Sequence, residues 1–196
     1  MTRAGLGFRA HSGWAAVVAV AAKAGSVEVV DRRKIGLSGE GIPRQPYHAA
    51  EGLELEKARE LIRRCVRGSR RLADRALRET IADLRREGYE VAGCGLLLAS
   101  GRPLPGLPAI LASHALIHTA DGEHFRDAIV QAAGKSNLPV TTVREKDVWA
   151  RASADLLVPI DRLERRIAEI GKAIGPPWTQ DQKLAAMAAW LALAKG

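Results

Sequence analysis

Cysteine is scarce in this chain. There are two in 196 residues, Cys65 and Cys94, far apart and in no metal-binding or redox spacing. That excludes a disulfide scaffold and a cysteine-based zinc site, and it fits two small buried apolar groups in a reducing compartment, here read as the cytoplasm. Aromatics are few, at 4% of residues, so stacking platforms for bases are not a theme, and Trp149, Trp178 and Trp190 read as core or interface anchors. Long apolar runs are missing as well. The stretch from Trp14 to Ala22 is too short to cross a bilayer and reads as a strand. The polar His11 and Ser12 precede any apolar segment of the signal-peptide kind, so no leader and no membrane partner are expected. No HExxH or CxxC pattern, internal repeat or low-complexity tract occurs.

What is present is an Ala-, Leu-, Arg- and Gly-rich chain, 47% apolar, long enough to bury a core. Its formal net charge is +8, which favours an anionic partner, although a basic surface also serves solubility alone.

Turn residues and hydrophobic period divide the chain. Residues 4–10, 14–22 and 27–35 read as three strands, joined by His11-Ser12-Gly13 and by a hairpin turn at Lys23-Ala24-Gly25-Ser26. The charged end Asp31-Arg32-Arg33-Lys34 marks the third as an edge strand. Residues 36–50, rich in Gly and Pro, read as a loop, and 50–87 as one long helix closed by Gly88. A buried strand over 89–99, parallel to the first, follows. Then come a loop over 100–108, a helix over 109–134, a short strand over 138–143 and a short helix over 144–154. A charged helix runs from Pro159 to about Ile174, and a last helix opens on the capping-box pair Thr179 and Gln182. The organisation expected is one α/β core over 1–158 with C-terminal helices over 159–196 packing on it.

This order, β-β-β-α-β-α-β-α, resembles the ribonuclease H-like fold, and particular stretches are similar to the Holliday-junction resolvases within it. They are Gly5-Leu6-Gly7 followed by Ser12-Gly13-Trp14-Ala15, then Asn137-Leu138-Pro139-Val140, and Asp181 ahead of Ala185-Ala186-Met187-Ala188-Ala189. The resemblance implies a mixed sheet, three antiparallel N-terminal strands plus two parallel ones, flanked by helices, with a helical C-terminus. It also implies a nuclease centre in which carboxylates hold two divalent metals. The first such carboxylate belongs on the opening strand, which here reads Gly5-Leu6-Gly7-Phe8-Arg9-Ala10-His11. The second belongs on the strand after the long helix, where residues 91–100 contain no Asp or Glu. Asp181 alone stands at a matching place.

Three constellations are candidates for function. His114, His118 and Asp121 share a helical stripe with Phe125, Ile129 and Ala132, read as facing the sheet, apolar in its C-terminal half and polar in its N-terminal half. Two imidazoles four residues apart can share a metal, so His114, His118 and Asp121 are the candidate metal ligands. His118, Asp121 and Asp181 are the candidate catalytic set. The bland alternative is imidazoles that only hydrogen-bond to loops. Glu123 and Arg126 read as an exposed ion pair. His48 and Glu51, at the junction into the long helix, are candidate pocket residues, though an acid at a helix start is also explained by the helix dipole. Finally, Arg64, Arg67, Arg71, Arg75 and Arg78 fall within about a quarter turn of the long helix, at 100° per residue. Residues 59–86 hold ten Arg against four acids, six of the eight net charges. Such a row fits phosphates without reading bases; its bland alternative is a solvated face.

The functional expectations are therefore a non-catalytic or divergent ribonuclease H-like protein that binds nucleic acid independently of sequence, or a partner protein. The alternatives are a metal-dependent nuclease with a rewired His/Asp site built from His48, His114, His118, Asp121 and Asp181, and a homo-oligomeric assembly protein using the last helix, whose Trp190 and Leu193 lie off its main apolar stripe. No cofactor is assigned beyond a candidate divalent metal.

Overall fold

A computed structural model describes residues 1–23, 26–39, 41–99 and 103–196. Ten-residue β1 (Thr2–His11) and β2 (Trp14–Lys23) form a hairpin, and β3 (Ser26–Gly36) adds to it antiparallel. β4 (Tyr89–Leu98) and β5 (Val140–Arg144) run parallel to β1, giving the sheet order β3-β2-β1-β4-β5. The mixed sheet, the edge position of β3 and the parallel β1–β4 pair are as expected. Residues 24 and 25 of the anticipated hairpin turn, and 100–102 of the loop after β4, lie outside the described residues.

Side-chain alternation on β1 decides what each face holds. Leu6, Phe8 and Ala10 enter a core with Cys94 and Leu96 of β4, covered by α2 (Leu55–Arg86) and α4 (His114–Lys135). Gly5, Gly7 and Arg9 point to the other face, which α7 (Gln180–Lys195) covers together with α5 (Val148–Leu156) and α6 (Ile160–Ile174). The glycines set how closely α7 lies. A Cβ on Gly7 would stand 1.8 Å from the Ala185 carbonyl oxygen, and one on Gly95 would stand 1.9 Å from that of Ala188. Backbone therefore packs on backbone, which only glycine on the strand and alanine on the helix permit.

The broad apolar surface of α7 is thus used within the chain. Ala185 to Ala189, Leu191 and Ala192 are buried, and Trp190 and Leu193 pack on the same core. Trp178 anchors the preceding turn, lying against Gly171 and donating its indole N–H to the Ile167 carbonyl at 2.9 Å. At the start of α7 the Thr179 N–H donates to Gln182 Oε1 at 2.9 Å, as the capping-box pair anticipates.

Three expectations need correction. The segment expected as loop over 36–50 contains a short helix, α1 (Pro46–Ala50), seeded by proline at its first position. The long helix begins at Leu55, because Gly52 takes a φ of +75°, so Glu51 caps the end of α1 and does not open α2. The helix expected over 109–134 is two: α3 (Leu107–Leu111) ends, Ser113 adopts extended backbone, and α4 starts afresh at His114. Among the described residues no helix is long and apolar enough to cross a membrane.

Candidate functional sites: a filled strand-edge centre and an imidazole cluster

The candidate residues fall into two separate places. The first lies where β1 ends. Along β1, Gly5 meets Ala189 and Gly7 meets Ala185 on α7. Two strand residues advance about 6.6 Å and four helix residues about 6 Å, so the next step in this register pairs Arg9 with Asp181. That contact forms, with the Arg9 guanidinium donating to Asp181 Oδ1. The same guanidinium grips Glu145 with two bonds, Nε to Oε2 at 3.0 Å and Nη2 to Oε1 at 2.6 Å. Glu145 lies in the 3-10 turn Glu145–Asp147 that follows β5. His11 Nε2 adds a contact of 2.9 Å to Asp181 Oδ1, and its ring stacks on Trp14 with centroids 4.3 Å apart.

Burial alone would raise the Asp181 pKa, but the hydrogen bonds from His11 and Arg9 outweigh it and hold the carboxyl below its usual range. Arg9 is held still more firmly charged, chiefly by Glu145 against the opposing effect of burial. The two-metal centre implied by the resemblance does not fit these residues. A hard divalent cation needs several free oxygen ligands. Here an arginine stands on the opening strand, β4 ends in Leu96-Leu97-Leu98, and oxygens of both nearby carboxylates are already engaged by Arg9.

The second place lies beyond the sheet edge. Arg126 of α4 donates from Nε to the Leu97 carbonyl at the end of β4 (3.1 Å). His118 is eight residues nearer the helix start, roughly 12 Å further out at 1.5 Å per residue. Here α4 leaves the sheet and packs on α1. His114 and His118 are exposed, contrary to the expectation of a sheet-facing polar stripe. They are not isolated, however, because α1 brings His48 against both. Ring centroids are 4.4 Å apart for His48–His118, 4.6 Å for His114–His118 and 5.4 Å for His48–His114.

Asp121 lies behind this cluster rather than within it. Its side chain is 3% exposed and accepts from the Tyr47 backbone N–H at 2.7 Å, while Oδ2 meets His48 Nδ1 at 2.5 Å. Glu51 Oε1 stands 3.8 Å from His114 Nδ1. The expected convergence of His118 and Asp121 with Asp181 in one hollow therefore does not occur, because Asp181 is held by Arg9 and His11.

One further feature went unread in the sequence, and another was read with the wrong exposure. His124 is buried between α2 and α4, with Nε2 3.0 Å from Ser69 Oγ, and burial lowers its pKa to about 4. Glu123 and Arg126 do pair, at 3.0 Å, but both are largely covered, not exposed.

The five candidate arginines of α2, Arg64, Arg67, Arg71, Arg75 and Arg78, are all exposed, and Arg78 pairs with Asp74 on its own helix at 2.9 Å. Among the described residues no acid lies in ion-pair range of the other four. Arg75 shares a groove with Lys34 of β3, so the row continues onto the sheet edge.

Comparison with solved structures matches this arrangement to RuvC of Thermus thermophilus in complex with a Holliday junction substrate. The TM-score is 0.52 at 12% identity, over 98% of this chain and 91% of that one. The fold is ribonuclease H-like. A second RuvC structure from the same organism also matches, at 12% identity and a TM-score of 0.49, over 98% of this chain and 92% of that one. No family model and no curated protein matches the sequence.

Proposed function

We propose that this chain is a nucleic-acid-binding protein of ribonuclease H-like fold whose strand-edge centre does not perform two-metal hydrolysis. The observation that carries this reading is the Arg9 guanidinium seated between Glu145 and Asp181. A fixed side-chain cation occupies the carboxylates that a divalent metal would need, while the surrounding fold is kept. An arginine, always charged and bidentate toward Glu145, is not displaced by millimolar magnesium.

Support for nucleic acid as the partner comes from the exposed arginine row and from the junction substrate bound by the structurally similar RuvC. From Arg64 to Arg78 the row spans about 21 Å at 1.5 Å per residue, comparable to six base-pair steps of duplex. It carries no donor–acceptor pattern aimed at base edges, so binding through it is independent of sequence.

The test is titration of labelled duplex, four-way-junction and single-stranded DNA across a salt series. Four or five phosphate contacts give a slope of log K against log salt of about −4 on duplex. Similar affinity for unrelated sequences of one shape is expected. Absence of binding at low salt, or binding indifferent to salt, contradicts the proposal.

A further inference from the structure

We propose that His48, His114 and His118 form a binding site for a divalent transition metal, zinc foremost, with one coordination position open to solvent. This site is independent of the nucleic-acid surface and of the Arg9 centre.

The geometry comes first. One ring nitrogen from each of the three histidines lies within 4.8 Å of the other two, and His114 Nε2 and His118 Nε2 are 3.1 Å apart. Around a tetrahedral zinc, with bonds of about 2.0–2.1 Å, ligand nitrogens stand about 3.3 Å apart. One pair already has that spacing, and the third imidazole reaches it through an adjustment of about 1.5 Å.

The outer contacts then fix which nitrogen is free. Asp121 takes Nδ1 of His48, and Glu51 faces Nδ1 of His114, so both rings turn Nε2 toward the shared centre. A metal-ligating histidine characteristically has its second nitrogen bonded to a carboxylate or carbonyl, which sets the tautomer and raises ligand basicity. Asp121 is itself immobilised by the Tyr47 backbone N–H and by burial. His48 is therefore positioned in advance, although it sits on a helix of only five residues.

Charge gives the third argument. Three neutral imidazoles directing lone pairs at one point repel unless a proton or a cation lies among them. The buried Asp121 carboxylate adds negative charge directly behind. A cation among the rings satisfies all four groups. An all-nitrogen set suits zinc, cobalt, nickel or copper and does not suit magnesium or calcium, which take oxygen. His114 and His118 are exposed, so the fourth position is left to water or an exchangeable ligand, unlike the closed four-ligand sites that serve only structure.

The experiment uses the full chain without a polyhistidine tag, stripped of metal by chelator. Zinc affinity is measured by competition with a chromophoric chelator, and cobalt is used as the spectroscopic probe. The expected result is one equivalent of zinc per chain and the intense visible bands of four-coordinate cobalt, without the near-ultraviolet band of a thiolate ligand. His118→Ala and His48→Ala should each lose at least about 100-fold in affinity, and Asp121→Asn about 10- to 100-fold. Asp181→Asn should leave affinity unchanged. Circular dichroism of His118→Ala, altered at an exposed position, checks that the variant folds, and His114→Ala provides an independent replacement. No retained zinc, or zinc held equally well by His118→Ala and His114→Ala, overturns the proposal.

Discussion

The strand-edge centre and the imidazole cluster are built from opposite shortages. At the end of β1 the carboxylates Asp181 and Glu145 meet a cation supplied by the chain itself, Arg9, which engages oxygens of both and offsets part of their charge. Beyond the edge, His48, His114 and His118 converge in front of a buried carboxylate, Asp121, whose ion-pair partner among the described residues is His48 rather than a lysine or arginine. In one place the carboxylate oxygens are engaged by an arginine, and in the other three ring nitrogens lie within 4.8 Å of one another. A fold position therefore does not fix the chemistry done there; the local charge balance does.

The largest effect that would break this contrast comes from Gly7→Ala. The added methyl meets the Ala185 carbonyl oxygen at 1.8 Å, so α7 must lift from the sheet and carry Asp181 away from Arg9. A loss of about 3 kcal/mol or more is expected in denaturant melts. Zinc affinity at the imidazoles, borne on α1 and α4, should change little.

Arg9→Asp inverts the first region. Removing the guanidinium leaves Glu145 and Asp181 facing a third carboxylate. Stability should fall by about 2–3 kcal/mol, less than for a fully buried pair because Arg9 is 21% exposed. Millimolar magnesium or manganese should restore part of it, while the wild type shows no such response. Equal insensitivity of both proteins to divalent metal would mean that Arg9 does not stand in for one.

His124 sharpens the difference between imidazoles on the same helix. Its pKa of about 4 lies below the unfolded value of about 6.5, so between those pH values the unfolded chain binds a proton that the native chain does not. Stability therefore falls as pH drops from about 6.5 toward 4, by up to about 3 kcal/mol, and is flat above that window as far as this group is concerned. His124→Gln should flatten the acid limb in urea melts across pH. An unchanged limb would show that another group governs it.

The smallest effect on stability belongs to Arg71→Ala with Arg75→Ala. These exposed positions should leave folding within about 0.5 kcal/mol and lower the salt slope of DNA binding by about 2. A slope equal to that of the wild type would move the binding surface off α2.

Much of the fold was legible because it rests on local signals. The strand trio, the β1–β4 pairing, the arginine sector of α2 and the Thr179–Gln182 start of α7 each follow from turn residues, alternation or helical period. What stayed hidden depends on contacts between distant segments. The absence of an acid on β1 could be read directly, but the role of Arg9 could not, because its pairing with Asp181 depends on how α7 lies across the glycines of β1. The i, i+4 spacing disclosed His114 and His118 as a pair. The sequence also offers His48 as a member of the rewired site, but not its direct contact with the other two imidazoles, because it comes from a five-residue helix too short for any periodicity; and spacing alone does not show Asp121 as an outer contact rather than a ligand. The imidazoles lie outside the sheet-facing core for a different reason: the helical phase from His114 to Ala132 is unbroken, but the first turns of α4 extend beyond the sheet onto α1, which no local pattern shows.

The central claim is that a built-in guanidinium replaces metal at the strand edge, leaving a protein that binds nucleic acid without cutting it. Incubation of labelled four-way-junction and duplex DNA with the protein in magnesium or manganese tests this directly, at low salt where binding is saturated. The account predicts retarded complexes and strands of full length. Metal-dependent cleavage that disappears in Asp181→Asn would contradict it.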